Sequence, residues 1–379
     1  MKTLVLGCGN IGSVAAEDLA KSTPSTEIVV ADNERKRAKE VAKKIDTSNV
    51  SWVQLNVTDD DELIKTLRNF DMVMGFLPGK LGYRLAEACI ETSKDLVDVS
   101  YMAENPLTLN GKALRAGVTV VPDCGLAPGI SNFLVGHAIG KLDAVQAVHI
   151  MVGGLPEKPV PPLGYTITWS PESLIDEYTR KAGIVRKGKK FDVKPLTGLE
   201  EIDFPHVGKL EAFFTDGLRT LMHTVRNVDN MWEKTLRYPG HAEKIKTLEE
   251  LGFFDEKQVD IENVNVSPRK VTVKLLKQKL WKPNVKDIVA LKVEVSGIRK
   301  GKQTSYVYHM LDRQDEKNAV TAMARTTAYP ASIVTQLMLK NKIKEKGVVP
   351  PEKLGANESL FKLFLGELEN RGIRINEQT

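Results

Sequence analysis

Three glycines near the N-terminus have the spacing of a dinucleotide-binding turn. Gly7, Gly9 and Gly12 form a G-x-G-x-x-G run that follows an apolar strand and opens a helix. The first glycine permits the tight turn, the second lets a pyrophosphate approach the backbone, and the third lets the helix pack closely on the strand. The start of that helix, at Asn10 and Ile11, directs N–H groups at the phosphates. The run predicts a nicotinamide dinucleotide site.

An acidic residue lies where such a site recognises the adenosine ribose. Asp32 closes the second predicted strand, about 20 residues beyond Gly12, and an acid at that distance hydrogen-bonds the ribose hydroxyls. Its charge would repel the 2′-phosphate of NADP, so NAD is favoured over NADP. The basic run 35–37 follows closely and could accommodate a phosphate, although we prefer to interpret it as a solvated helix face.

Further cofactor contacts are expected where other strands end. Ligands of an open parallel sheet lie beyond the carboxyl ends of its strands. This places Val57 beside the adenine, and Phe76 and its neighbours along the pyrophosphate and nicotinamide ribose. Each of these residues could instead be an ordinary loop residue. The complete set is Asn33, Asn56, Val57, Phe76, Leu77, Pro78 and Ser100.

The elements that position these residues alternate regularly between strand and helix over residues 1–122. Each apolar strand is separated from the next by a helical pattern. Alternating β and α units of this size predict a Rossmann-type, doubly wound parallel sheet. The expected strands are Leu4–Leu6, Glu27–Asp32, Val50–Asn56, Asp71–Phe76, Leu96–Val99 and Val118–Val121.

The regular alternation of strand and helix ends after Pro122. Irregular connections over 123–318 predict a substrate-binding α+β domain with an open, mostly antiparallel sheet, in which Gly297–Lys302 turns between two strands. Residues 319–379 begin with a helix interrupted by Pro330, and its apolar face predicts a C-terminal segment that packs back on the Rossmann domain. The expected strands of the second domain are Val145–Val152, Leu210–Phe214, Val289–Val295 and Ser305–Leu311.

Chain length and net charge limit the classes of protein to which this sequence can belong. A chain of 379 residues favours two domains, and its net charge of +5 is too dispersed for nucleic acid. The densest basic cluster, 186–190, is better explained as a solvated hairpin turn.

Three cysteines without metal-ligand spacing predict reduced thiols and no metal. No leader and no apolar run of about 20 residues is visible, so we expect a cytoplasmic protein without a membrane segment. We expect a homodimer, because this is the commonest oligomeric state.

Several sequence blocks occur in an order that resembles one known family. They lie at 121–129 (VPDCGLAPG), 152–156 (VGGLP), 161–165 (PPLGY), 209–213 (KLEAF), 237–244 (RYPGHAEK) and 321–329 (TAMARTTAY). The chain resembles the saccharopine dehydrogenase family over essentially its whole length, and most closely those members that oxidise the ε-amine of lysine with NAD. The resemblance implies NAD-dependent oxidative deamination of the distal amine of L-lysine or a similar amino acid, giving a semialdehyde or its cyclic imine.

Two alternatives stay open. The lysine-oxidising members have small residues around 217–220, whereas this chain has Arg219. An arginine in this region resembles the pattern of saccharopine-type reductases. Those enzymes act on an aldehyde–amino acid imine and bind additional carboxylates. Asp32 argues against that alternative, because the fungal-type reductases use NADP and have no acidic residue at this position. The second alternative is a non-catalytic, NAD-binding regulatory protein.

Amine oxidation requires a base, because an ammonium ion has no lone pair with which to expel a hydride. His241 follows Pro239 and Gly240 at a predicted helix start, within a shared block, and is the first candidate for this role. A helix-capping or core histidine is the alternative. Asp123 follows the sixth strand, where a carboxylate could hold the ε-ammonium or accept its proton, or could cap the helix near Pro128.

A charged amino acid also needs partners for its carboxylate, and the planar fork of arginine suits that task best. Two arginines and a tyrosine are the predicted carboxylate binders, and two further tyrosines could line the pocket. A surface salt bridge or a core hydroxyl competes with each assignment. The predicted substrate-binding residues are Arg219, Arg237, Tyr238, Tyr101 and Tyr165.

Overall fold

The computed structural model describes residues 1–282 and 284–378. Its strands are β1 Lys2–Leu6, β2 Glu27–Asp32, β3 Val50–Gln54, β4 Met72–Gly75, β5 Asp95–Asp98, β6 Thr119–Val121, β7 Ala144–Pro156, β8 Ala182–Arg186, β9 Lys189–Val193, β10 Glu200–Phe204, β11 Gly208–Phe214, β12 Asn230–Arg237, β13 Val259–Ile261, β14 Val264–Val266, β15 Asp287–Arg299, β16 Lys302–Arg313, β17 Gly347–Val348 and β18 Asn376–Gln378. Its helices are α1 Asn10–Ser22, α2 Arg35–Ile45, α3 Asp60–Leu67, α4 Gly79–Glu91, α5 Asn110–Ala116, α6 Ile130–Lys141, α7 Pro171–Thr179, α8 Leu221–Thr224, α9 His241–Glu250, α10 Pro268–Leu280, α11 Ala322–Leu339, α12 Pro351–Gly355 and α13 Glu358–Asn370.

The chain divides into two compact units. The first consists of Met1–Leu142, Arg219–Thr224 and Ala324–Arg374, and the second of Asp143–Leu218, Val225–Met323 and the last residues from Ile375. The first unit therefore continues 20 residues beyond the predicted boundary at 122, because α6 packs within it: Phe133 of α6 stacks on Phe364 of α13, with ring centroids 3.9 Å apart. The predicted division into domains at 1–122, 123–318 and 319–379 stays a prediction.

A seven-stranded parallel sheet forms the centre of the first unit. Its order is β17-β6-β5-β4-β1-β2-β3, and each recorded pair of neighbours is parallel. The six predicted strands are present, and the prediction of a doubly wound Rossmann-like sheet is confirmed. The two-residue β17 was not expected. The strand order reverses between β1 and β4, and in such sheets ligands bind at the carboxyl edge beside that point.

The second unit contains a nine-stranded sheet. Its main path is β10-β11-β12-β7-β15-β16-β18, with β8 and β9 attached at β12. β12 and β7 run parallel, whereas the other recorded pairs are antiparallel, which confirms the predicted open, mostly antiparallel sheet. β15 and β16 form the expected hairpin, and Gly301 in its turn has a φ of +74°. The predicted basic hairpin turn joins β8 to β9 at Gly188.

The carboxylate of Asp18 on α1 holds the C-terminal helices within the first unit. It accepts a hydrogen bond from Ser332 Oγ of α11 at 2.6 Å, and Nε of Arg371, which follows α13, lies 2.8 Å away. α11 continues through Pro330 without a break, so the interruption expected there was wrong. Within residues 1–282 and 284–378, no helix combines the length and the apolar character that a bilayer crossing would need.

Candidate active site

The predicted phosphate-binding turn lies between β1 and α1, and the fold sterically requires two of its three glycines. Gly7 has a φ of +96°, and a Cβ added there would come within 2.5 Å of the carbonyl oxygen of Phe76. A Cβ at Gly12 would overlap the carbonyl oxygen of Gly7, whereas a Cβ at Gly9 would enter open space. Gly9 is exposed and begins α1 without a side-chain cap. The first-turn N–H groups near Asn10 and the open side of Gly9 therefore fit a pyrophosphate.

Asp32 is at the carboxyl end of β2, almost fully buried. Its Oδ2 accepts the N–H of Cys8 and its Oδ1 accepts the N–H of Glu34, both at 2.9 Å. Arg37 Nη1 lies 3.5 Å from Asp32 Oδ1, and its Nη2 lies 2.5 Å from Glu34 Oε1. Asp32 thus ties the phosphate-binding turn to the end of β2 and presents negative charge there.

The remaining predicted cofactor residues line the same edge of the sheet. Phe76 donates its N–H to Leu6 O at 2.9 Å, and Pro78 is the N-cap of α4. Asn56 Oδ1 accepts the hydroxyl of Thr58 at 2.7 Å. Asn33 and Asn56 are exposed, Val57, Phe76 and Leu77 are half-buried, and Ser100 is buried: the set is Asn33, Asn56, Val57, Phe76, Leu77, Pro78 and Ser100.

Asp98, which the sequence analysis missed, ends β5 as a fully buried carboxyl group. Its Oδ1 accepts the N–H of Ser100 at 2.9 Å and also the Ser100 hydroxyl. The described residues offer no hydrogen bond to its Oδ2. Burial raises the pKa of Asp98 to about 7, against the lowering effect of the Ser100 hydrogen bonds, and the charge of Asp123 raises it further. A carboxyl group in this state can exchange a proton near neutral pH.

Asp123 and Arg219 form a buried ion pair next to Asp98. Arg219 Nε lies 3.4 Å from Asp123 Oδ1, and the two side chains are 5% and 0% exposed. Arg219 Nη2 also donates to Glu104 O at 3.4 Å, and the guanidinium lies 5.7 Å from the ring centroid of Tyr101. The structure therefore brings together three predicted site residues, namely Asp123, Arg219 and Tyr101.

Arg237, the other arginine predicted to bind a carboxylate, belongs to the second unit and is buried against Glu177. Its Nη2 donates to both carboxylate oxygens, at 3.0 and 3.2 Å. Its Nε donates to the Tyr178 hydroxyl at 3.4 Å and its Nη1 to Leu236 O at 2.9 Å. The guanidinium lies 4.7 Å from the ring centroid of Tyr165. Each guanidinium nitrogen thus has an acceptor within this unit.

His241 begins α9 in the same unit and is 1% exposed. One ring nitrogen, Nδ1, is 2.9 Å from Leu163 O, and the other, Nε2, is 2.8 Å from the Tyr178 hydroxyl. Burial lowers its pKa to about 3, and the charge of Arg237 lowers it further. A neutral ring that donates from Nδ1 and accepts at Nε2 satisfies both contacts. His241 in this arrangement has the bonding of a core histidine, and its catalytic role stays a prediction.

The two remaining predicted tyrosines also have partners within the second unit. The Tyr238 hydroxyl lies 3.0 Å from both Pro156 O and Glu157 O, so it links β12 to the end of β7. The Tyr165 hydroxyl accepts the indole N–H of Trp169 at 3.0 Å. Both contacts are typical of structural hydroxyls. Among the described residues, no group of three or more His, Cys, Asp or Glu side chains could hold a metal.

Comparisons with known proteins identify both parts of the chain. A family model described as the saccharopine dehydrogenase NADP binding domain matches residues 3–121, and one described as the saccharopine dehydrogenase C-terminal domain matches residues 125–373. A solved structure of saccharopine dehydrogenase (L-Glu forming) from Saccharomyces cerevisiae superposes with a TM-score of 0.79 at 21% identity, covering 100% of this chain and 99% of that one. That likeness supports the fold.

Curated relatives differ in how much of their length the chain matches. The chain is 26% identical to alpha-aminoadipic semialdehyde synthase of Arabidopsis thaliana over 99% of its own length but only 44% of that protein. It is 27% identical to saccharopine dehydrogenase [NADP(+), L-glutamate-forming] of S. cerevisiae, over 67% of the chain and 58% of that protein. It is 21% identical to carboxyaminopropylagmatine dehydrogenase of a Synechocystis strain, over 96% and 95%.

Proposed function

The chain belongs to the saccharopine dehydrogenase family, and from that premise we propose that it is a nicotinamide-dinucleotide-dependent dehydrogenase acting on a carbon–nitrogen bond of an amino acid. The names of its relatives support an amino-acid or imine substrate. We further propose that the substrate is L-lysine, oxidised at its distal amine, and that NAD is the preferred cofactor.

The observation that carries this proposal is the charge of the cluster at the carboxyl edge of the parallel sheet. Two buried carboxyl groups, Asp98 and Asp123, stand beside one guanidinium, that of Arg219. With both acids ionised the cluster bears net negative charge, which complements an ammonium group. L-Lysine brings two ammonium groups and one carboxylate and so carries net positive charge, whereas saccharopine brings two ammonium groups and three carboxylates and carries net negative charge.

The proposed chemistry needs a group that takes a proton from the substrate ammonium. In our proposal Asp123 binds the ammonium, and Asp98, whose pKa burial raises to about 7, takes up and returns the proton. Ser100 orients Asp98 by donating two hydrogen bonds to one oxygen. The nicotinamide, when bound, supplies the hydride acceptor. Water then hydrolyses the imine of the substrate to the semialdehyde, and the nitrogen leaves as ammonia.

The preference for NAD is supported by the charges around the end of β2. Asp32 presents a carboxylate where the adenosine ribose is expected, and this charge opposes a 2′-phosphate. Arg37, the nearest basic side chain to Asp32, lies against Asp32 and Glu34. The yeast relative is named for NADP(+), so the choice of cofactor is a point on which this chain is proposed to differ.

The experiment measures NADH formation by the purified protein with L-lysine and NAD, then in variants at Asp98 and Asp123 and in a control at Asp95. Asp98→Asn should lower kcat/KM at least about 100-fold, the usual contribution of a positioned proton-transfer group. Asp123→Asn, which removes the proposed ligand of the ammonium, should lower it at least about 10-fold, as expected for loss of a hydrogen bond to a charged group. Asp95→Asn, at the amino end of β5, is the matched control and should retain turnover. Equal losses in all three variants would contradict the assigned roles.

A saccharopine-type activity is the second candidate, favoured by the presence of Arg219 beside Asp123 and by the names of the relatives. Turnover of saccharopine but not lysine, with either dinucleotide, would replace our proposal by this one. Dinucleotide binding without turnover of any amine or imine would instead support a regulatory protein. A homodimer and a cytoplasmic location stay predictions, for which light scattering and cell fractionation are the tests.

A further inference from the structure

Glu352, on the short helix α12, is a buried carboxyl group outside the proposed site. It is 5% exposed, and burial raises its pKa above the ordinary value. Three side chains donate to it: Thr224 Oγ1 to Oε1 at 2.7 Å, and Asn132 Nδ2 and Thr220 Oγ1 to Oε2 at 3.1 Å each. A buried carboxylate with this many donors fixes each donor in place, because breaking a contact would leave a polar atom unsatisfied.

Two of these donors come from the segment that carries Arg219. Thr220 follows Arg219 directly, and Thr224 ends the next short helix, α8, where Thr220 O lies 3.1 Å from its hydroxyl as an alternative, longer acceptor. Residues 219–224 belong to the first unit, although the chain on both sides of them belongs to the second. Hydrogen bonds from Thr220 and Thr224 to Glu352 join this segment to α12 of the same unit.

The third donor leads to the loop that carries Asp123. Asn132 Oδ1 accepts the N–H of Gly129 at 3.2 Å, and Gly129 forms a bridge with Gly125, two residues beyond Asp123. Gly129 has a φ of +140°, and a Cβ there would overlap the backbone of Gly125. The Asn132 amide therefore links Glu352 to the turn that closes the Asp123 loop.

The backbones of both ion-pair residues need such support. Asp123 has a φ of +53° and Arg219 a φ of +51°. This left-handed conformation costs a residue with a Cβ about 1–2 kcal/mol and persists only where the surroundings determine it. One buried carboxylate that reaches both segments can supply that determination.

We propose that Glu352 is a positioning residue of the proposed active site: through Thr220 and Asn132, its carboxylate holds Arg219 against Asp123. The inference rests on the proposed function for its kinetic consequence. The hydrogen bonds themselves lie within the first unit and can be tested without turnover.

The kinetic test uses two variants that remove one side of the contact each. Glu352→Gln keeps the shape of the side chain, and Thr220→Val removes a hydroxyl at nearly constant volume. Each should raise KM for the amino acid about 10-fold or more, as expected for loss of a hydrogen bond to a charged group, with the Kd for the dinucleotide unchanged. Thr220→Ser restores the hydroxyl and should recover the wild-type KM.

Thr335→Val is the matched control, because Thr335 is a fully buried threonine of the same unit whose hydroxyl has no partner among the described residues. It should leave KM unchanged. If Glu352→Gln is too unstable to assay, the pair Thr220→Val and Thr220→Ser decides alone. Unchanged KM in Thr220→Val, or an equal rise in Thr335→Val, would overturn the positioning role.

A measurement on the arginine itself separates this inference from the proposed function. The Nε–H of Arg219, assigned by its loss in Arg219→Lys, should give a slowly exchanging ¹⁵N NMR signal because the side chain is 5% exposed and donates to Asp123. Glu352→Gln and Thr220→Val should speed that exchange at least about 10-fold, and Thr335→Val should not. If lysine and saccharopine are both inert but the exchange changes as expected, the proposed function fails while the positioning role stands.

Discussion

Replacing Asp98 by asparagine should change the free energy of unfolding by an amount that depends on pH. Relative to the wild type, the variant should be more stable at neutral and alkaline pH than it is at acidic pH. The carboxyl group is fully buried, and burial raises its pKa from 3.8 to about 7. An unfolded chain returns this group to water and to its ordinary pKa. Wild-type protein must therefore bury a charge above pH 7, and the asparagine variant does not.

The sign and size of the effect follow from proton linkage. Below about pH 4 both states of the wild type are protonated, so the group adds no pH dependence. Between about pH 4 and 7 the folded state keeps the proton and the unfolded state loses it, so the free energy of unfolding falls as pH rises. A difference of about 3 pKa units, at about 1.4 kcal/mol each, amounts to about 4 kcal/mol. Above pH 7 the loss is constant.

Urea unfolding of wild type and Asp98→Asn from pH 4 to 8.5 is the assay. The quantity to follow is the difference between the two free energies of unfolding, since other titrating groups cancel in it. It should shift in favour of the variant by about 4 kcal/mol across this range. Asp61→Asn, which alters an exposed carboxylate on α3, should give a difference that stays nearly constant.

A difference that does not vary with pH would refute the reasoning, because Asp98 would then ionise equally easily in both states. A shift in favour of the wild type as pH rises would also refute it. That result would mean that the guanidinium of Arg219 outweighs burial, so that Asp98 is a stabilising carboxylate rather than a buried acid.

Three further predictions concern the cofactor turn, the ribose site and the buried histidine. Gly9→Ala should keep the wild-type Tm but weaken dinucleotide binding in calorimetry at least about 10-fold, whereas Gly12→Ala should also lower stability by about 1–3 kcal/mol, because its Cβ would overlap backbone. Asp32→Ser should raise KM for NAD and lower the ratio of NAD to NADP efficiency in initial-rate assays, and an unchanged ratio would contradict the assigned role. Because burial lowers the pKa of His241 to about 3 from 6.5, the free energy of unfolding of wild type relative to His241→Gln should fall by up to about 5 kcal/mol as pH drops from about 6.5 to 3; a difference independent of pH would argue against it.

The first unit was predictable because its sequence signals are local and chemically demanding. Apart from β3, the predicted strands are short, mostly buried apolar runs, as expected of strands covered on both faces. A Cβ added at Gly7 or at Gly12 would come within 2.5 Å or less of a backbone oxygen, so their spacing reflects a physical requirement. Asp32 was found because it closes a buried strand at a set distance from the glycines.

The second unit was predicted less completely because several strands lack an apolar pattern. β9 (KKFDV) and β10 (EEIDF) are largely exposed and charged, so neither the alternation nor the composition of a strand is visible in them. Their pairing partners, rather than their own residues, make them strands. β12 was missed although it is mostly buried, because charged residues such as Glu233 and Lys234 lie inside it.

Asp98 and Glu352 were missed for a tertiary reason. Asp98 gives the same local signal as Asp32, a polar residue at the end of an apolar strand, but the glycine spacing points only to Asp32. Nothing near Glu352 in the sequence indicates that it meets Thr220 and Thr224, which lie more than 120 residues away. Burial of a charge is a property of the fold, and it is the fold that turns these carboxyl groups into candidates for function.

The two arginines predicted to bind a carboxylate differ in what surrounds them, and this difference favours Arg219 over Arg237 for that role. Arg237 has Glu177 across its Nη2, Tyr178 at its Nε and a backbone carbonyl at its Nη1. A substrate carboxylate could bind Arg237 only by displacing a buried glutamate, which would leave an uncompensated charge worth several kcal/mol. Arg219 instead lies at the carboxyl edge of the nucleotide-binding sheet beside Asp123, at 3.4 Å. A bound ammonium would compensate Asp123 and so allow the guanidinium to exchange its partner for the carboxylate of the substrate.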